Sequence, residues 1–332
     1  MKILVTGGTG YIGSHVVVEL LEQNHEVEIL DNLVNSKITV LDQIEKITGY
    51  KPVFHQVDLL DQPALEKIFE NTRFDLVMHF AGLKSVTESI EQPLKYYDNN
   101  ITGTLNLLKA MANHKVYNLI FSSSATVYGD QGIECCNETL KTGIKITNPY
   151  GKTKYIIEEI LKDLATANSE FSIIALRYFN PIGNHSSGLI GENPNGIPDN
   201  LMPYIMKVAK GELKELSIYG NDYNTEDGTC LRDFIHVVDL AKGHLAAING
   251  LKPGFTAYNL GTGCPISVLQ MVKAFEKVSG QSLPHKYVAR RPGDLVNLYA
   301  DPTKAKKELG WQTELTIEDA IKDTITFLNH NL

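Results

Sequence analysis

The 332-residue chain carries 31 Lys and Arg against 39 Asp and Glu, a formal charge of −8, with 43% hydrophobic and 21% charged residues. This is ordinary globular usage and excludes a disordered or fibrous chain. The acidic balance, without a basic run, argues against a nucleic-acid partner. The length is about twice that of a typical domain, which fits one large or two coupled domains. No apolar run approaches the roughly 18 residues of a membrane helix, so no membrane partner is expected. Met1-Lys2-Ile3-Leu4-Val5-Thr6 passes straight into glycines, without an apolar leader or cleavage site. Cys135, Cys136, Cys230 and Cys264 lack zinc spacing and read as reduced thiols of a cytoplasmic protein, with no metal site expected.

In chain order, Ile3 to Thr6 reads as a strand and Ile12 to Gln23 as a helix. Val27 to Leu30 and Val53 to Val57 follow as strands, ending at Asp31 and Asp58. Leu76 to Phe80, Leu119 to Phe121 and Ser172 to Leu176 are near-continuous apolar runs, as strands buried on both faces require. Strands alternating with helices over about 170 residues predict an α/β fold with a doubly wound parallel sheet of Rossmann type. From Asn180 the texture changes. Residues 180–200 and 220–230 are rich in Gly, Asn, Asp and similar turn formers. Amphipathic pieces lie around 201–211, 267–278 and 317–329, predicting a smaller C-terminal substrate-binding lobe. The expected division is 1–180, with a returning segment near 233–250, against 181–332.

Gly7, Gly10 and Gly13 follow the first strand and open the first helix, a GxxGxxG variant of the dinucleotide fingerprint. One glycine permits the tight turn, one the approach of a phosphate, and one close helix packing, while the helix N-terminus favours the pyrophosphate. Asp31 ends the next strand, where a carboxylate accepts from ribose hydroxyls and repels a 2′-phosphate, so NAD is the expected cofactor rather than NADP. Asp58, closing the third strand, is a candidate adenine contact.

Tyr150 and Lys154 stand at i and i+4 on one helix face, behind Asn148 as N-cap and Pro149 in the first helical position. An isolated phenol titrates near ~10 and is a poor base. A nearby cation and the helix dipole favour its phenolate and make it a usable general base. Ser124 ends the strand at Phe121, where its hydroxyl can share the reacting oxygen of a substrate.

With these residues in place the chain resembles the extended short-chain dehydrogenase/reductases, and within them the UDP-glucose 4-epimerase family, over essentially its whole length. The resemblance is carried by TGGTGYIGSH at 6–15, LDNL at 30–33, HFAGLKSVTES at 79–89, YYDNN at 96–100, FSSSATVYGD at 121–130 and NPYGKTK at 148–154. It continues in LRYFNPIG at 176–183, GIPDNLMPYI at 196–205, YGNDYNTEDGT at 219–229, RDFIHVVDLA at 232–241, YNLGTG at 258–263 and RRPGDL at 290–295. It implies retained NAD, and a UDP-sugar oxidised and re-reduced at C4 within one turnover, in galactose metabolism. Tyr150 takes the C4 proton, Lys154 lowers the tyrosine pKa and holds the ribose, and Ser124 binds the C4 oxygen.

The same resemblance implies cofactor contacts from Tyr11, Ile12, Asn32, Asn35, Ser36, Leu59, Phe80, Ala81, Gly82, Lys84, Asn99 and Tyr178. It implies UDP-sugar contacts from Lys84, Phe179, Asn180, Asn200, Leu201, Ser217, Tyr219, Arg232, Arg291 and Asp294. Leu298, four residues after Asp294, falls where the family gates the sugar C2 substituent, with neighbouring Tyr299 as the alternative; leucine is intermediate in size, so weaker turnover of the N-acetylated pair is expected. A homodimer is implied by resemblance alone, since no dimer patch is visible in the sequence. A 4,6-dehydratase needs a carboxylate where this chain has Ser124-Ala125-Thr126, a UDP-glucuronate-processing enzyme needs a cation that cannot be identified, and a non-catalytic NAD sensor has no need of Ser124, Tyr150 and Lys154 together.

Overall fold

The computed structural model describes residues 1–193, 198, 200–291 and 295–330. The chain begins with β1 (Lys2–Thr6), α1 (Tyr11–Glu22), β2 (Glu26–Asp31), α2 (Val40–Thr48), β3 (Val53–Gln56), α3 (Gln62–Asn71) and β4 (Leu76–His79). Two short helices, α4 (Val86–Glu91) and α5 (Pro93–Tyr97), lead through a π turn at Asp98–Thr102 into α6 (Gly103–Asn113). Then come β5 (Asn118–Ser124), β6 (Cys135–Cys136), α7 (Pro149–Ala167), β7 (Ser172–Tyr178) and β8 (Asn180–Ile182). The remainder holds α8 (Leu201–Ala209), β9 (Leu216–Tyr219), β10 (Leu231–Arg232), β11 (Phe234–His236), α9 (Val237–Asn249) and β12 (Gly254–Leu260). It closes with β13 (Ile266–Ser267), α10 (Val268–Ser279), β14 (His285–Val288), β15 (Asn297–Ala300), α11 (Thr303–Leu309) and α12 (Ile317–His330).

Seven strands form one parallel sheet in the order β12-β7-β5-β4-β1-β2-β3. Side chains alternate between its faces. Ile3 and Val5 of β1 join a core with α1 and α9, whereas Leu4 joins one with α3, α6 and α7. Both faces are covered, which is why these strands are apolar throughout. The order reverses at β1, so the crevice at the carboxyl ends of β1 and β4 is the switch point where such sheets bind ligands.

The returning part of the chain is longer than the sequence suggested. Residues from 251 onward were assigned to the second lobe, but β12 pairs with β7 along its whole length, from Gly254↔Ser172 to Leu260↔Tyr178. Ala305 and Trp311 belong to the same core as α1 and α9. The reason is pairing: without β12, the backbone of β7 would present an open edge. The second lobe has its own core from α8, β9, α10 and α12. A small sheet, β13-β10-β15-β6, ties it to the first half through Tyr299↔Cys135 and Ala300↔Cys136. Among the described residues no helix is long and apolar enough to cross a membrane, no cluster of ligands could hold a metal, and all four cysteines are free.

Candidate active site

The glycine loop between β1 and α1 is built by close approach. Gly7 has φ +72°, and a Cβ there would lie 2.7 Å from the amide nitrogen of Ala81. A Cβ on Gly13 would lie 2.2 Å from the carbonyl oxygen of Gly7. Gly10, the N-cap of α1, offers no side-chain acceptor, which leaves the first turn of α1 without a side-chain cap, as suits a helix start that takes an anion. Asp31 is buried at the end of β2, accepting from the amides of Thr9 (3.2 Å) and Leu33 (2.9 Å) and from the Ser36 hydroxyl (3.2 Å). Asp58 accepts from Asn32 at 2.8 Å and from the Leu60 amide at 2.9 Å. Leu59 is buried, and its carbonyl accepts from Asn106 at 3.0 Å. Asn35 is exposed beside this group. The loop, the dipole end and the paired carboxylates fit a dinucleotide whose ribose carries free hydroxyls.

On the other wall, the amides of Phe80 and Ala81 donate to the carbonyl oxygen of Thr6. The Phe80 ring lies 4.9 Å from that of His244. Asn99 donates to Asn100 Oδ1 at 3.0 Å. Buried Asn100 fixes the Gly82-Leu83 turn through both backbone groups of Leu83 and donates to Thr153 at 3.1 Å. Lys84 pairs with Glu192 at 2.9 Å, and Glu192 also accepts from Asn200 at 2.8 Å.

The chemical group stands where α7 meets β5. Asn148 caps the helix, its side chain accepting from the Gly151 amide at 2.8 Å, with Pro149 in the first turn. Half-buried Tyr150 lies beside the Ser124 hydroxyl, which also accepts from the amide (3.2 Å) and hydroxyl (2.9 Å) of Thr126.

One expectation needs correction here. Burial raises the Tyr150 phenol above its ordinary value, and the opposing groups are the Ser124 hydroxyl and the charge of Lys84. Lys154, the cation expected to act on it, donates instead to the Ser122 carbonyl at 2.6 Å and is itself pulled down to about 8 by burial, against Glu158. The strand carbonyl is a fixed acceptor for an ammonium with little water around it. Tyr178 also differs from its assignment as a ligand contact. It is buried, with its hydroxyl on His244.

In the second lobe, Arg232 on β10 donates to the carbonyls of Leu231 (2.7 Å) and Leu295 (2.8 Å). The Arg291 guanidinium lies 4.0 Å over the Tyr219 ring, next to Ser217 on β9. The amide of Asn180 donates to the carbonyl of Asp233 at 2.9 Å, and Leu201 packs on the second-lobe core. Phe179 and Leu298 meet in one apolar cluster with Val127 and Tyr128. Tyr299 pairs with Cys135 of β6, whereas Leu298 packs against the cluster that holds Phe179. Asp294 lies outside the described residues.

Four residues that hold this region together were not singled out in the sequence: Asn100, Glu158, Arg177 and Glu192. Glu158 was findable, since it continues the Tyr150–Lys154 spacing by another four residues on an otherwise apolar helix face. Glu192, inside a glycine-rich loop, carried no such signal.

A doubly wound sheet with a glycine loop at its switch point, and Ser, Tyr and Lys gathered at the carboxyl end of β5, defines a nucleotide-binding protein of the short-chain dehydrogenase/reductase class. A family model described as GDP-mannose 4,6 dehydratase matches residues 4–324. A UDP-glucose 4-epimerase of Bacillus subtilis is 52% identical over 100% of this chain and 98% of its own. The crystal structure of UDP-glucose 4-epimerase from Bifidobacterium longum in complex with NAD+ and UDP matches with TM-score 0.96 at 49% identity, over 100% of this chain and 99% of that one. That of the UDP-Glc/GlcNAc 4-epimerase from Campylobacter jejuni matches with TM-score 0.88 at 35% identity, over 99% of each. The chain belongs to the UDP-glucose 4-epimerase family.

Proposed function

We propose that this protein is an isomerase that interconverts UDP-glucose and UDP-galactose at C4 with NAD as resident cofactor. The observation that carries the reading is Ser124 meeting Tyr150 at the carboxyl end of β5, across from the glycine loop, in a chain half identical to curated epimerases. Bound NAD supplies the acceptor for the C4 hydride and its return. Gly7, Gly10, Gly13 and the N-terminus of α1 hold its pyrophosphate, Asp31 its ribose, and Asp58 with Asn32 its adenine end. Tyr150 removes the C4 hydroxyl proton and later restores it. Ser124 holds the C4 oxygen through both half-reactions, so that the proton moves along a fixed line. Lys84 supplies positive charge near the phenolate. Arg232 and Arg291 bind the UDP diphosphate and Tyr219 faces the base, local cations that an acidic protein needs for such a ligand.

The test supplies UDP-galactose to purified protein without added NAD and detects UDP-glucose. Turnover without net NADH supports the reading; no turnover even with NAD added overturns it. Leu298 beside Phe179 supports weaker use of the N-acetylated pair, and UDP-GlcNAc unchanged at high enzyme concentration removes that activity. Free cysteines support a cytoplasmic location. A homodimer is supported by the exposed apolar residues Val86, Ile90 and Leu94 of α4 and α5.

A further inference from the structure

Helix α7 presents Tyr150, Lys154 and Glu158 on successive turns of one face. Three consecutive residues of β5 meet them. The Ser124 hydroxyl lies beside Tyr150, the Ser122 carbonyl accepts from Lys154 at 2.6 Å, and the Ser123 hydroxyl donates to Glu158 Oε1 at 2.6 Å. Glu158 is fully buried, and Arg177 of β7 grips both its oxygens, Nε to Oε1 at 3.0 Å and Nη2 to Oε2 at 2.6 Å. Arg177 Nη1 continues to the Tyr128 hydroxyl at 3.0 Å, which donates to Asn259 at 2.7 Å. A buried ion pair of this kind gains little stability over well-packed apolar residues. Its place one helical turn beneath Lys154 gives it another use.

We propose that Glu158 is a positioning residue for the C4 reaction: clamped by Arg177 and Ser123, it holds α7 in register with β5 and keeps Lys154 a cation on the Ser122 carbonyl, one helical turn from Tyr150. The inference rests on the epimerase reading of Tyr150 and Lys154. Around Lys154 the ionisable groups are Tyr150 and Glu158 of its own helix, His79 of β4, and Arg177 and Tyr178 of β7, with Lys84 acting on Tyr150 from the loop after β4. Burial keeps His79 neutral, down at about 3. Glu158 is therefore the negative charge that opposes the burial of Lys154. Without it the buried Arg177 guanidinium is left uncompensated.

The experiment follows the Lys154 ammonium by side-chain nitrogen NMR across pH in isotopically labelled protein carrying its retained cofactor, with K154M assigning the signal. The pH profile of kcat/KM is measured alongside. In E158Q both the Lys154 midpoint and the alkaline limb should move down by about one pH unit or more. In E158D, which keeps the charge, both should stay within a few tenths of a unit. An unmoved midpoint in folded E158Q, with only a lower melting temperature, would make Glu158 merely structural and overturn the proposal. Should E158Q not fold, S123A is read instead: a smaller downward shift supports the proposal and an unmoved midpoint overturns it. The NMR midpoint does not depend on turnover, so inactivity toward UDP-galactose in the wild type would count against the epimerase reading and not against the Glu158 network.

Discussion

Tyr150 shows the balance a buried base must strike. Burial alone makes it a weaker acid, and the groups that oppose burial are the Ser124 hydroxyl and the positive charge of Lys84. Tyr150→Phe keeps the ring and the packing while removing the proton acceptor, so turnover should fall about 10²- to 10⁴-fold with NAD content unchanged, as assayed with UDP-galactose and by cofactor release on denaturation. Leu298 sets a different property. It packs against the cluster that holds Phe179, and under the epimerase reading its volume shapes the pocket rather than the chemistry. Leu298→Ala should raise the kcat/KM ratio of UDP-GlcNAc to UDP-glucose about tenfold or more, and Leu298→Tyr should lower it, since admitting one extra group in an apolar pocket is worth about 1–3 kcal/mol. Equal ratios in all three proteins would place the sugar C2 substituent elsewhere. Tyr150, Lys154 and Ser124 were legible because their spacing and strand-end position are local. That Leu298 packs with the cluster of Phe179 while Tyr299 pairs with Cys135 was not legible, because it depends on how β15 lies between β10 and β6.

The glycine loop and α1 act as one element. The helix can start against β1 only because the carbonyl of Gly7 occupies the space where Gly13 would carry a side chain. Gly13→Ala must push α1 away from the loop, at a cost of about 1–3 kcal/mol. The variant should unfold at lower urea concentration and purify with less bound NAD. Wild-type NAD content would show that the loop tolerates the shift. The same element was readable in advance because strand, glycines and helix follow one another within a few residues. The N-cap of α7 was readable for the same reason, since Asn148 and Pro149 act on amides within three residues. β12 escaped notice because its partner β7 lies some eighty residues earlier, and no local pattern announces an edge strand of a distant sheet.

At the scale of the whole molecule, desolvation holds three of the buried histidines down, His15 and His79 at about 3 and His244 at about 4. In the unfolded chain such rings protonate near ~6.5, so below that pH unfolding takes up protons and the fold loses stability as pH falls. Between pH ~7.5 and ~5.5 each ring should remove about 1.4 kcal/mol of unfolding free energy. The buried carboxyls Glu19, Glu138 and Asp239, which burial raises, act in the opposite sense. Urea unfolding at the two pH values should show the loss, and His79→Gln should lessen it by about 1.4 kcal/mol. Identical losses in both proteins would mean that His79 does not stay neutral in the fold.

At the same scale, Leu94 of α5 is 82% exposed, and Ile90 and Val86 of the preceding α4 are exposed as well, apolar surface a second copy of the chain would cover. Leu94→Glu should shift sedimentation from dimer toward monomer, and a wild-type protein sedimenting as a monomer would remove the dimer reading.

The sequence by itself determined what is encoded within a few residues or by simple periodicity. Buried parallel strands, the glycine turn, the caps and the Tyr–Lys spacing are set by backbone sterics and local hydrogen bonds, which act on near neighbours. The tertiary structure decided which distant charges meet. Lys84 found Glu192, and Glu158 found Arg177, across gaps of more than a hundred and of nineteen residues. It also decided which way Lys154 points. Those pairings follow from how the sheet stacks its helices and closes the second lobe upon them, because the strength of a charge contact depends on burial and distance in space, neither of which sequence separation supplies.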